Sequence, residues 1–196
     1  MRTRTVSPTR TERPRGARTK SAWLLAVPFL VLARPTPEAL VLGAALAAGG
    51  LALRGWAAGT IRKDEALTTA GPYAFVRHPL YAGSLLIGIG LGTAGGHWVW
   101  PVLVVAFFAA VYSRTVTDEA VRLTALFGHA YVEYAAHVPG LIPRLTPYRS
   151  ARGAGDFPAG SAGFRWSQYM RHREWEASLG AVAGLAVLAV KMRWLG

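Results

Sequence analysis

Apolar residues in this chain come in long runs, not at the alternating or three-to-four spacing of half-buried elements, which restricts it to folds whose helices lie in lipid. Five runs stand out: Ser21 to Ala33 (SAWLLAVPFLVLA), Ala39 to about Gly59, Leu80 to Ala94, Trp98 to Tyr112, and Ala177 to Val190. A bilayer needs about 20 apolar residues per helix, so the first run crosses only with interfacial help. The expected fold is all-α, a polytopic membrane protein with about five transmembrane helices. Residues 1 to 20 carry seven basic side chains against Glu12, plus Pro8 and Pro14, and predict a disordered basic arm. No convincing small-x-small cleavage site precedes Arg34, so the first run is expected to stay as a helix.

The connectors fit that arrangement. Arg34, Pro35 and Pro37 make a tight link, with Pro37 and Glu38 placed to open the second helix. Gly95, Gly96 and His97 separate the third and fourth runs, giving a helical hairpin. Six of the seven Trp lie at or near ends of apolar runs, where interfacial indoles belong, and Trp166 sits in a basic-aromatic stretch. With the amino terminus inside, only Arg34, Lys191 and Arg193 of the 22 basic residues fall on the far side, so orientation is predicted N-in and C-out. The formal net charge of +12 then reads as attraction to anionic lipid rather than nucleic acid, because the cations flank apolar segments. No cysteine is present, which removes disulfides, thiolate nucleophiles and Cys-based zinc sites.

The predicted cytoplasmic stretch from about Ser113 to Glu176 has its own order. Glu119, Arg122, Leu123, Leu126 and Phe127 recur at helical spacing, Gly128 is a candidate cap, and Tyr131, Tyr134 and Val138 extend a partly apolar face to Pro139. The expected organisation is a membrane core over 21–144, a flexible linker over 145–163 and, over 164–196, an interfacial helix with the final span.

The stretch Gly71 to Gly83, GPYAFVRHPLYAG, departs from ordinary membrane-helix sequence and is the candidate active site. His78 and Arg77 lie where a polar loop meets the third run, and a buried imidazole or guanidinium there needs a hydrogen-bonding partner. The residues alone serve equally for a helix start, with Pro79 in the first turn, Arg77 on lipid phosphate, and Tyr73 and Tyr81 as interfacial anchors. Asp118 and Glu119 form a second polar cluster, suited either to favouring a helix or to binding ribose hydroxyls, an amine or a sulfonium. The five His show no paired metal-ligand spacing, so no metal is expected. Nucleophile-elbow, Rossmann and Walker patterns are absent.

GPYAFVRHPLYAG, followed by DEAVRLTALFGHAYVEYAAHVPGLIPR, resembles the isoprenylcysteine carboxyl methyltransferase family and its phospholipid-methylating relatives over roughly Ile61 to Arg144. The resemblance implies an integral membrane methyltransferase using S-adenosyl-L-methionine, its cofactor pocket built from cytoplasmic connecting segments. By position, Glu65, Ala66, Leu67, Thr68, Tyr73, His78, Pro79, Leu80, Tyr81 and Glu119 match cofactor-binding residues. Arg114 is nearest to the family's substrate-side Arg, one residue off its spacing, and Arg77 is the other candidate for positioning the acceptor. The implied acceptor is lipophilic, most simply a carboxylate that is O-methylated. Phospholipid N-methylation, a NAD(P)H-dependent membrane reductase of related architecture, and a non-catalytic lipid-binding protein are the alternatives. The expected location is a bacterial plasma membrane, with amino terminus and active site cytoplasmic.

Overall fold

A computed structural model describes residues 25–62, 66–149, 163–171 and 174–195, without the side chains of Arg114 and Leu195. Among these residues there are helices and no strands. The expected basic arm and most of the expected linker lie outside them. Helix α1 covers 25–32 and belongs to a unit separate from the rest that ends at Leu32. The remaining helices, α2 (Pro37–Thr60), α3 (Pro79–Ala94), α4 (Val99–Phe127), α5 (His129–His137), α6 (Trp166–Arg171) and α7 (Trp175–Leu195), form the second unit. By length and composition α2, α4 and α7 can each cross a membrane. At 16 residues α3 is shorter, about 24 Å. The molecule is an all-helical, polytopic membrane protein.

The predicted start of α2 is observed: Pro37 opens the helix, and the Thr36 hydroxyl caps it by accepting from Ala39 N–H at 3.3 Å. Small residues then bring α2 and α3 together as an antiparallel pair. A Cβ on Gly43 would lie 2.4 Å from the Gly90 carbonyl, and one on Gly50 would lie 2.7 Å from the Gly83 carbonyl. Only glycine permits that backbone approach, the packing that lipid favours when no hydrophobic force acts between helices. The α3–α4 hairpin turns at Gly95 and Gly96, the latter at φ 80°, and Gly95 also accepts a hydrogen bond from Arg34 N–H at 2.9 Å. Against α3, α7 lays Gly184 at Leu91, as its small-residue composition predicts.

Two features differ from expectation. The fourth helix does not stop near Tyr112 but runs through to Phe127, about 43 Å. No Gly or Pro interrupts residues 102–127, and the hydroxyls of Thr115, Thr117 and Thr124 bond back to carbonyls four residues earlier. Gly128, at φ 55°, ends it. The acidic doublet is therefore part of the same rod that crosses the membrane.

The second is Arg54, inside the second apolar run. Its guanidinium meets Glu174 through two bonds of 2.8 and 2.9 Å, and also donates to Leu80 O and to Ser84 Oγ. One partly buried cation thus joins α2, α3 and the entry to α7, satisfied as a charge in such a place must be. Beside it Phe164 lies over Gly59 and Tyr169 over Gly55, and Arg165 N–H bonds Gly59 O at 2.8 Å, so the aromatic segment before α7 packs on the end of α2.

Candidate functional site

The end of α2, the start of α3 and the extension of α4 meet at the end of the bundle opposite the Gly95–Gly96 turn. Between α2 and α3 the chain makes a short 3-10 turn, Gly71–Ala74, opened by Gly71 at φ 60°. A Cβ there would lie 3.0 Å from Thr60 Cγ2, so both backbone sign and space call for glycine. Thr68 Oγ1 accepts from Arg62 N–H at 3.1 Å and closes the connector.

The second motif holds the first through backbone bonds. Arg77 N–H donates to Pro139 O at 2.8 Å and His78 N–H to Gly140 O at 3.1 Å, while Arg144 N–H returns to Phe75 O and Tyr148 N–H to Ala74 O. The strap after α5 thus lies along residues 74–78 like a paired strand. Tyr134 O–H adds a buried bond of 2.7 Å to Tyr73 O. Tyr131, Tyr134 and Val138 form a small core with Leu67, Leu123, Phe127 and Tyr148 packed on it. The arginine and histidine owe their positions to residues some 60 farther along the chain.

These elements enclose a cleft of about 620 Å³, including the open solvent at its mouth. Its walls are Ile61, Arg62, Ala66, Leu67 and Thr68 from the connector, Tyr73, Arg77 and His78, then Glu119, Arg122, Leu123 and Phe127 from one face of α4, with Tyr131 and Tyr134 from α5. Of the predicted site residues, Ala66, Leu67, Thr68, Tyr73, Arg77, His78 and Glu119 line it. Pro79, Leu80 and Tyr81 do not: Pro79 begins α3, Leu80 O accepts from Ser84 Oγ and Arg54, and Tyr81 stacks on His78 at 5.6 Å between ring centres. Tyr81 also meets Tyr112 edge-on, and Tyr112 stacks on Phe108, so an aromatic column backs the histidine. Glu65 lies outside the described residues. Arg114 lies in α4, five residues before Glu119.

His78 Nδ1 stands 3.6 Å from Glu119 Oε2, beyond hydrogen-bond range. Burial holds the imidazole below its ordinary titration range, Arg77 pushes the same way, and Glu119 opposes both. Burial dominates, so the ring is neutral at neutral pH and its contact with Glu119 is not an ion pair. Burial also raises the phenols of Tyr73 and Tyr134, which stay protonated.

Among the described residues, five buried side-chain atoms have no hydrogen-bond partner: Tyr73 Oη, Arg77 Nε, His78 Nε2, Glu119 Oε2 and Tyr131 Oη. All five belong to residues of the cleft wall. Each such atom costs about 1–3 kcal/mol if left so, and buried polar atoms of native folds find a partner in protein, water or ligand. Together they are hydrogen-bonding groups, one of them a carboxylate oxygen, left unpartnered in residues that line one cleft. No three metal-ligating side chains come together among the described residues.

Sequence reasoning noted the 119–127 periodicity and the tyrosines of α5 as an apolar face, but did not assign Arg62, Arg122, Leu123, Phe127, Tyr131 or Tyr134 to the site. The signal was present in the spacing of Glu119, Arg122, Leu123 and Phe127, which share one helical face. What that face looks onto is not a local property.

Residues 39–130 match the family model for Phospholipid methyltransferase. Among curated proteins the chain is 37% identical over 111 residues to the cobalt-zinc-cadmium resistance protein CzcN of Cupriavidus metallidurans, covering 56% of this chain and 50% of that protein. It is 35% identical over 83 residues to the protein-S-isoprenylcysteine O-methyltransferase of Schizosaccharomyces pombe, covering 42% of this chain and 35% of the other. It is 33% identical over 89 residues to the nickel-cobalt-cadmium resistance protein NccN of Alcaligenes xylosoxydans xylosoxydans, covering 45% and 41%. The chain thus spans half or less of the length of these relatives. No solved structure gives a significant match. Residues 39–130 thus carry a match to the phospholipid methyltransferase family model, and the chain is homologous over part of its length to protein-S-isoprenylcysteine O-methyltransferases.

Proposed function

We propose that the protein is an S-adenosyl-L-methionine-dependent methyltransferase acting on a lipophilic, membrane-embedded acceptor, with carboxyl O-methylation as its reaction. The observation that carries this is the gathering of five buried, unpartnered polar atoms in the cleft where both motifs meet. The cofactor has an amino-acid end with a carboxylate and an ammonium, and a ribose with two hydroxyls. Glu119 accepts from an ammonium or a hydroxyl, Tyr73 and His78 bond its polar groups, and Ala66, Leu67 and Thr68 supply a partly apolar wall. Glu65, Pro79 and Leu80 are carried as cofactor-binding residues by their sequence match alone, and Tyr81 backs His78 by stacking on its ring. When bound, the cofactor supplies a methyl group on a sulfonium, whose carbon–sulfur electron pair stays with sulfur as the new bond forms.

The protein's part is alignment and exclusion of water. A carboxylate acceptor is already ionised at neutral pH and gives up no proton, so it needs only a cation to position it. Arg77 in the wall of the cleft fills that role, with Arg114 as the second candidate. The cleft opens at the end of the helices, where an acceptor anchored in the bilayer presents its head group. By the positive-inside rule this end faces the cytoplasm of a bacterial cell, against an anionic lipid surface, and no metal or nucleic acid takes part. The membrane core spans 21–144, and 145–163 links it to the C-terminal helices.

A second reading, N-methylation of a phospholipid amine, is supported by the family description and by His78, whose neutral imidazole can take the proton an amine must lose. Incubating detergent-solubilised protein and membranes with methyl-tritiated S-adenosylmethionine separates the two. A methyl ester releases its label as methanol in alkali, and an N-methyl group does not. Calorimetric titration is expected to show S-adenosylhomocysteine binding that weakens in His78→Ala and Glu119→Ala. Binding of NADPH with no response to S-adenosylhomocysteine would instead support a reductase.

A further inference from the structure

Tyr131 and Tyr134 lie one turn apart on α5, each about 3% exposed, and they differ in one respect. The Tyr134 hydroxyl is used by the fold, bonded to Tyr73 O, whereas the Tyr131 hydroxyl is buried in the cleft wall with no partner. Its ring cannot swing away, because it is embedded in the core that Tyr134 and Val138 make with Leu123 and Phe127. Two other hydrogen donors of the wall share its condition, Tyr73 O–H and Arg77 Nε–H. Among the described residues of the wall the carboxylate is Glu119, and it satisfies none of these donors, all of which are without a partner, as is its own Oε2. What three donors, one of them charged, call for is a ligand group with several acceptor lone pairs and a negative charge.

We propose that Tyr131, with Tyr73 and Arg77, forms a carboxylate-receiving corner of the cleft, and that Tyr131 is a ligand-binding residue. Neither sequence motif assigns it this role, and the family match ends one residue before it. The inference rests on the methyltransferase reading, in which two carboxylates have business in the cleft: the α-carboxylate of the methyl donor and that of the acceptor. The same corner chemistry suits either, and the experiment tells them apart.

The full chain in detergent is titrated with four probes: S-adenosylhomocysteine, 5′-methylthioadenosine, which lacks the amino-acid part, N-acetyl-S-farnesylcysteine, and its methyl ester. Tyr131→Phe removes one hydroxyl and keeps the ring. If the corner holds the donor's carboxylate, the variant binds S-adenosylhomocysteine about tenfold or more weakly and methylthioadenosine as the wild type does. If it holds the acceptor's, the loss appears with the farnesylcysteine acid and not with its ester. Arg77→Gln is expected to show the same selectivity, which keeps the test alive should Tyr131→Phe melt early. Unchanged affinity of Tyr131→Phe for both acids overturns the proposal, as does an equal loss for the two probes without a carboxylate, which would mark a packing role. Failure of the wild type to bind S-adenosylhomocysteine would overturn the methyltransferase reading itself, a separate result.

Discussion

Replacing Tyr134 by Phe isolates the bond that ties the two motifs together. The ring keeps its place in the α5 core, and the only atom lost is the hydroxyl that donates to Tyr73 O at 2.7 Å. A buried hydrogen bond contributes about 1 kcal/mol net, and a buried carbonyl left without a partner raises the cost to about 1–3 kcal/mol. That corresponds to roughly a 5- to 150-fold shift in the equilibrium for opening the 71–78 turn. Because the turn's other ties are the backbone bonds to Pro139, Gly140, Arg144 and Tyr148, the opening is expected to be local, with α2 and α3 intact. Hydrogen–deuterium exchange of a peptide covering 71–78 reads the shift directly. Its protection should fall by about that factor, and peptides from the α2–α3 contact should not change. Equal protection of 71–78 in variant and wild type would refute the claim that the second motif holds the first in place.

Three more expectations concern the rest of the framework. Because the folded state holds His78 below its ordinary value of about 6.5, the unfolded chain binds the extra proton first. This contribution to stability is complete above about pH 6.5 and falls as the pH drops below it. Thermal denaturation between pH 7.5 and 5 should therefore show a loss that His78→Gln reduces. Gly90→Ala puts a Cβ 2.6 Å from Ala47 N and from Gly43 O and should lower the melting temperature by forcing the helices apart. Gly49→Ala meets only Leu86 Cδ2 at 3.6 Å and should be neutral or stabilising by up to about 1 kcal/mol. Glu174→Gln leaves the Arg54 cation without its counter-charge and should cost about 3 kcal/mol. The double change Arg54→Met with Glu174→Leu should recover much of the loss, as a melting series in detergent would show.

The apolar runs, read as a pattern, determined that the chain is helical and lies in membrane, and the turn residues placed most helix ends: Pro37 opens α2, Gly95 and Gly96 turn the hairpin, and Gly128 stops α4. Those are local effects, set by dihedral preference and by the need to satisfy backbone groups within one segment. The motifs likewise marked Tyr73, Arg77, His78 and Glu119 as chemically unusual. Tertiary structure alone decided what surrounds them. The fourth helix carries Glu119 to the cleft because nothing in the sequence breaks it, and Arg54 finds Glu174 across 120 residues. Tyr131 and Tyr134 have the same residue type and burial and both line the cleft, yet the Tyr134 hydroxyl bonds Tyr73 O and the buried Tyr131 hydroxyl has no partner. Hydrogen bonding between segments distant in the chain leaves no periodicity to read, so the division between a bonded tyrosine and an unpartnered one exists only once α5 is packed against the 71–78 turn.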